Sequence, residues 1–174
     1  PLSLDKFGDP LHPFPAFTAS VCNLRPASRG HLRIKSPDPR AAPAITLNYL
    51  SAPEDQAIAV QSLRLARRVV LGTETMKKYA PEEFLPGPAF QTDEELIKAA
   101  GNVGTTIFHP VGTCRMGRAE DTNAVVDPQL RVRGIEGLRV IDASIMPAIT
   151  SGNTNSPTLM IAERGAMLVL GKQA

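Results

Sequence analysis

Apolar and polar positions change rhythm along this chain. Alternation over residues 18–24 and 31–35 predicts two strands, the second setting Leu32 and Ile34 opposite Arg33 and Lys35, with residues 26–30 as the connection. Such a hairpin places one face on a core. A third alternating run, with Ile45, Leu47 and Tyr49 on one side, follows the Pro-rich loop 36–43. From Ser51 the period becomes that of a helix. Ala59, Leu63, Ala66 and Val70 recur at helical spacing, Ser51-x-x-Glu54 reads as a capping box, and Gly72 reads as a left-handed stop. Arg64, Arg67 and Arg68 on its later turns read as a solvated face that suits the helix dipole. Thr92-x-x-Glu95 opens a further helix that runs to about Ala100.

Beyond Asn102, Gly, Asn, Thr and Pro gather around short apolar runs, the pattern of functional loops held by buried elements. Residues 130–133 and 138–141 predict short strands joined by a turn between Gly134 and Gly137. A last helix is expected with Ser156 as its cap, Pro157 at its first position and Gly171 at its end. Residues 159–170 are apolar nearly all round apart from Glu163 and Arg164, so that helix is expected to be buried against another domain.

Composition narrows the function classes. At 174 residues, 43% hydrophobic and 21% charged, the chain has enough apolar material for a sizeable core. Its net charge of +2 is spread without a run of Lys or Arg, which argues against nucleic acid as a partner. No apolar run approaches the ~20 residues a membrane-spanning helix needs, and residues 1–10 lack a signal-peptide pattern. A protein that is cytoplasmic or peripheral to the cytoplasmic membrane is expected. Cys22 and Cys114 read as free thiols, and His109 and Cys114 lack the further ligands a metal requires, so no metal is expected. The start at Pro1, without Met and rich in Pro, reads as a fragment of a longer chain.

Two segments carry candidate chemistry. In His109-Pro110-Val111-Gly112-Thr113-Cys114-Arg115-Met116-Gly117, Pro110 holds His109 extended and the glycines let the loop turn tightly. A lone His is more often structural than catalytic. In Ser151-Gly152-Asn153-Thr154-Asn155-Ser156-Pro157, amide and hydroxyl groups crowd the start of an apolar helix, where roughly half a positive charge gathers. That arrangement favours an anion, while a local cap or Asx-turn accounts for Asn155 or Ser156 alone.

With Val125-Val126-Asp127, Leu130-x-Val132-x-Gly134 and residues 137–147 lying between them, these blocks resemble the C-terminal signature of the glucose-methanol-choline oxidoreductases. The form Gly152-Asn153-Thr154-Asn155-Ser156-Pro157-Thr158 is most similar to that of the choline and alcohol dehydrogenase members. The resemblance implies an α+β fold, a mainly antiparallel sheet with flanking helices. Residues 1–120 would be part of a substrate domain, and residues 121–174 would pack on a flavin domain. It implies FAD as cofactor and a small alcohol as substrate. His109 matches the active-site histidine that takes part in removing the hydroxyl proton, and Asn153 matches the second catalytic side chain. Asp142, Ala143, Asn155 and Thr158 match positions near the cofactor.

The Gly-x-Gly-x-x-Gly fingerprint that grips the ADP part of FAD is not in this sequence. The chain by itself is therefore expected neither to retain FAD nor to turn over alcohol, and to need an N-terminal FAD domain in cis. Without that domain the last helix would expose an apolar patch that favours homodimers. A non-catalytic binding module on the same scaffold and a thiol redox protein using Cys114 are the alternatives.

Overall fold

The computed structural model describes residues 10–172 of the chain. They fall into two units, each continuous in space but not in sequence. The first combines the described residues up to Asn23 with Leu50–Gly104, and the second combines Leu24–Tyr49 with residues from Thr105 onward.

The first unit is a helical pair. Its long helix α1 spans Pro53–Gly72, a single turn α2 spans Glu74–Lys77, and α3 spans Asp93–Val103. Val60, Leu96 and Ala99 are its buried apolar side chains, and Leu96 is fully enclosed. The expected capping box at Ser51 does not form: Ala52 is the N-cap and makes no side-chain bond. Pro53 explains the shift. Proline disfavours a helical residue before it and is pre-set for the first helical position, so Ala52 stays extended (ψ 134°) and the helix starts one residue later.

Gly72 is likewise not a left-handed stop. It ends α1 in helical conformation, and the chain leaves through extended Thr73, whose hydroxyl donates to the Val69 carbonyl (2.7 Å). The second box is present as expected. Thr92 Oγ1 accepts from the Glu95 amide (3.3 Å), and the Glu95 carboxylate accepts from the Gln91 and Thr92 amides (2.9 Å each). Arg67 departs from the solvated face expected of its cluster. Its guanidinium is half-buried and forks onto Glu83, with further bonds to the Gly87 and Phe90 carbonyls, and so ties the proline-interrupted stretch to α1.

The second unit has less regular structure. Strands β1 (His31–Arg33) and β2 (Ala44–Thr46) pair antiparallel, His31 opposite Thr46 and Arg33 opposite Ala44. No strand forms at residues 18–24; β1 pairs with β2, the later alternating run, instead of with an earlier strand. At Gly30 the chain passes so close to β2 that a Cβ there would meet the Thr46 carbonyl at 2.2 Å. Nor does the sheet lie on a core: Leu32, Ile34, Ile45, Leu47 and Tyr49 are all exposed. Helices and a small antiparallel sheet make the chain α+β, with a much smaller regular sheet than expected.

The two strands expected at 130–133 and 138–141 reduce to an isolated bridge between Arg131 and Arg139, turned by left-handed Gly134 and Gly137. The core of this unit is Val126, Leu130, Ile145, Met146 and Ile161. A 3₁₀ turn, Ala143–Ile145, and helix α4, Asn155–Val169, pack together around it. Gly165 brings α4 close to Ile141, where a Cβ would stand 2.3 Å from Ile141 Cγ2. Helix α4 stops as expected at left-handed Gly171, whose amide bonds the Leu168 carbonyl while Lys172 bonds Met167. Its burial is one-sided. Ile161 and Gly165 are enclosed, but Leu159, Met160, Val169 and Leu170 are each more than 60% exposed, so among the described residues the helix shows the exposed apolar patch expected where the other domain does not cover it.

Candidate active site

Every residue singled out from the sequence for chemistry lies in the second unit. The loop that follows His109 is stitched to the 3₁₀ turn by main-chain bonds. The Cys114 amide donates to the Ser144 carbonyl (3.0 Å) and the Met116 amide to the Ile145 carbonyl (2.7 Å). Gly112 turns the loop at φ 90°, a conformation open to glycine at little cost. Arg115, beside Cys114, spends its charge on Asp121 (2.5 Å), and Arg133 clamps the Gly117 and Asp121 carbonyls. Segments distant in sequence thus form one platform.

His109 is half-buried, and its Nδ1 lies 2.9 Å from Thr154 Oγ1. The other ring nitrogen, Nε2, has no partner among the described residues. The residue before it, Phe108, has φ 62°, a strained conformation for a bulky side chain, held by its amide donating to Thr106 Oγ1 (3.0 Å). Asn153 is exposed and adjoins Thr154 in sequence, on the loop that enters α4. The structure therefore brings the His109 ring to the Asn153 loop through Thr154 and shows no direct bond between His109 and Asn153.

Asp142 caps the 3₁₀ turn, its carboxylate accepting from the Ser144 amide (2.8 Å) and hydroxyl (2.5 Å), and Ala143 packs against the core. Asn155 is exposed at the first position of α4. Thr158 donates its hydroxyl to the Thr154 carbonyl (2.6 Å).

The start of α4 differs from the expectation. Thr154, not Ser156, is the N-cap, and no side chain caps the helix. Pro157 stands at its third position, where the missing N–H is again one the helix would not have used. The amides of Asn155 and Ser156 carry the positive end of the helix with no side-chain acceptor on them. Ser151, at φ 61°, holds a buried Oγ with no partner. Uncapped amides and an orphaned hydroxyl fit the electron-rich edge of a planar heterocycle such as a flavin's pyrimidine end. An open cavity of about 420 Å³ lined by Gln61, Arg64, Leu65 and Arg68 belongs to the first unit, which holds none of the candidate site residues.

Sequence reasoning missed Thr154, which it treated as one polar group among several. The available signal was negative: Pro157 removes the amide that a threonine cap at residue 154 would bond.

Comparison with known proteins identifies the family. A family model described as GMC oxidoreductase matches residues 26–162. An alcohol dehydrogenase (acceptor) of Pseudomonas putida is 44% identical over 156 residues, 90% of this chain and 28% of that protein. Oxygen-dependent choline dehydrogenase 1 of Chromohalobacter salexigens is 47% identical over the same share of each. Among solved structures, pyridoxine 4-oxidase from Mesorbium loti superposes with a TM-score of 0.75 at 33% identity, over 87% of this chain and 29% of that one. A fungal aryl-alcohol oxidase gives 0.73 at 32% identity, over 85% and 24%. The chain thus spans about 28% of the length of the curated relatives it matches.

Proposed function

This chain belongs to the GMC oxidoreductase family, and we propose that it is the catalytic-side portion of an FAD-dependent enzyme that oxidises the CH–OH group of a small alcohol, choline or another primary alcohol. The observation that carries this reading is the anchoring of the His109 ring at the mouth of α4 by Thr154, 45 residues away in sequence. FAD, when bound, supplies the acceptor for the hydride that leaves the alcohol carbon.

The chain's own groups do the rest. His109 is held through Nδ1, so Nε2 is the nitrogen left to take the alcohol's hydroxyl proton. Asn153, exposed on the adjoining loop, offers a carboxamide that can donate to or accept from the alcohol oxygen and orient the C–H bond. The Asn155 and Ser156 amides and the Ser151 hydroxyl would hold the flavin's pyrimidine edge and favour electron density there.

The test uses the full-length, FAD-loaded protein with choline and simple primary alcohols. His109→Gln should lower kcat/KM by about 10²-fold or more, the scale of a lost general base, and Asn153→Ala by a smaller factor. Undiminished turnover in His109→Gln, or a wild-type protein that binds alcohols without oxidising them, would overturn the reading in favour of a binding module.

A further inference from the structure

Thr154 occupies the N-cap of α4, where a threonine ordinarily turns its hydroxyl onto an amide at the second or third helical position. Here it does not. Its backbone is helical (φ −88°, ψ −2°) instead of extended, the third position is Pro157 with no N–H to offer, and the hydroxyl makes no capping bond. The hydroxyl lies instead 2.9 Å from His109 Nδ1. Thr154 is only 8% exposed, so water competes poorly for that bond. Its carbonyl is held twice over, by the Thr158 amide (3.0 Å) and the Thr158 hydroxyl (2.6 Å). A β-branched side chain on so constrained a backbone has little rotamer freedom, which fixes the direction in which the hydroxyl can meet the ring.

We propose that Thr154 is the positioning residue of His109: its Oγ1 accepts from Nδ1–H, orients the imidazole, and keeps the neutral ring in the tautomer whose Nε2 is free to take a proton. The proposal rests on the reading of His109 as the proton acceptor. It assigns to one hydroxyl a task that a carboxylate or a backbone carbonyl performs for many other histidines. A hydroxyl suits this place because it accepts from Nδ1–H in both the neutral and the protonated ring, so His109 keeps its position through proton transfer.

The experiment compares Thr154→Val, which keeps the shape and removes the hydroxyl, with Thr154→Ser, which keeps the hydroxyl, in the full-length, FAD-loaded protein. Histidine is labelled with ¹⁵N, and the His109 ring signals are assigned by their loss in His109→Gln. The wild-type neutral ring should carry its proton on Nδ1, Thr154→Val should move population to the Nε2–H form, and Thr154→Ser should retain the wild-type signals. Alongside this, Thr154→Val should lower kcat by about tenfold with KM within about twofold, and Thr154→Ser should stay within about threefold of wild type.

A wild-type ring protonated on Nε2 overturns the proposal. So does a Thr154→Val enzyme with unchanged tautomer and kcat, or a Thr154→Ser enzyme as impaired as Thr154→Val. If Thr154→Val does not fold or load flavin, the wild-type tautomer and the Thr154→Ser comparison decide alone. Full activity in His109→Gln sinks the functional reading itself, whereas an inactive His109→Gln beside a normal Thr154→Val removes only the role given to Thr154.

Discussion

In the unit built on α1 and α3, two regular helices bury Val60, Leu96 and Ala99 between them, and the Arg67 guanidinium, bonded to Glu83 and to the Gly87 and Phe90 carbonyls, fastens the irregular stretch to the helix. In the unit that carries His109, beside the exposed β1–β2 pair, the same end is reached with isolated bridges, a 3₁₀ turn and a helix around a core of five residues. The first unit satisfies its backbone by repetition, each helical amide finding a carbonyl four residues back. The second satisfies its backbone case by case, with Asp127, Asp142 and Arg133 side chains taking the amides and carbonyls that no regular element reaches. The contrast shows what a loop-built platform is for. Irregular chain can aim His109 and the Asn153 loop at one place, which no single helix could do for residues so far apart.

The largest effect that would test this contrast is in the helical unit. Leu96→Ala removes a fully buried side chain from the α1–α3 contact and should cost about 2–5 kcal/mol, read as a lower denaturant midpoint; a loss below about 1 kcal/mol would mean that packing is not what holds the pair. Gly165→Ala is the matching change in the loop-built unit. It drives a methyl into Ile141 and should cost about 1–2 kcal/mol, even though alanine is the better helix former. A stabilised Gly165→Ala protein would show that α4 is free to move away from Ile141.

The smallest effects lie in acid, where each unit has a carboxylate held below its ordinary value. The Glu95 carboxyl lies below 4.5 because the Gln91 amide, and then the Thr92 amide, bond its charged form. Burial pushes Asp127 up, but its bonds from the Arg131 amide and guanidinium and from the Gln129 amide outweigh that and leave it below 3.8. A carboxylate with a depressed folded pKa contributes stability above its unfolded value, and that contribution disappears as pH falls through the folded pKa. Thermal midpoints followed into acid should therefore fall less steeply in Glu95→Gln and Asp127→Asn than in the parent. Identical acid limbs would remove these two groups from the account.

Elements announced by local rules were legible in the sequence. The Thr92-x-x-Glu95 box, the stop of α4 at Gly171, and the turns at Gly134 and Gly137 all depend on residues within a few positions of one another. The family was legible too, since a GMC oxidoreductase model matches residues 26–162. Where local rules competed, the reading failed. Ser51 satisfied the spacing of a capping box, but Pro53 forbade the helical residue that box needed in front of it.

Alternation at residues 18–24 announced a strand, yet a strand exists only when a distant segment pairs with it, and β1 pairs with β2 instead. Thr154 is the clearest case. Its identity and its place next to Asn153 are given by the sequence, but its meeting with His109 joins positions 45 residues apart. Short-range stereochemistry is written in neighbouring residues, so the chain alone determined the start of α3, the stop of α4, its glycine turns and its family signature. Which hydroxyl reaches which imidazole depends on how distant segments pack, and only the tertiary structure decided that.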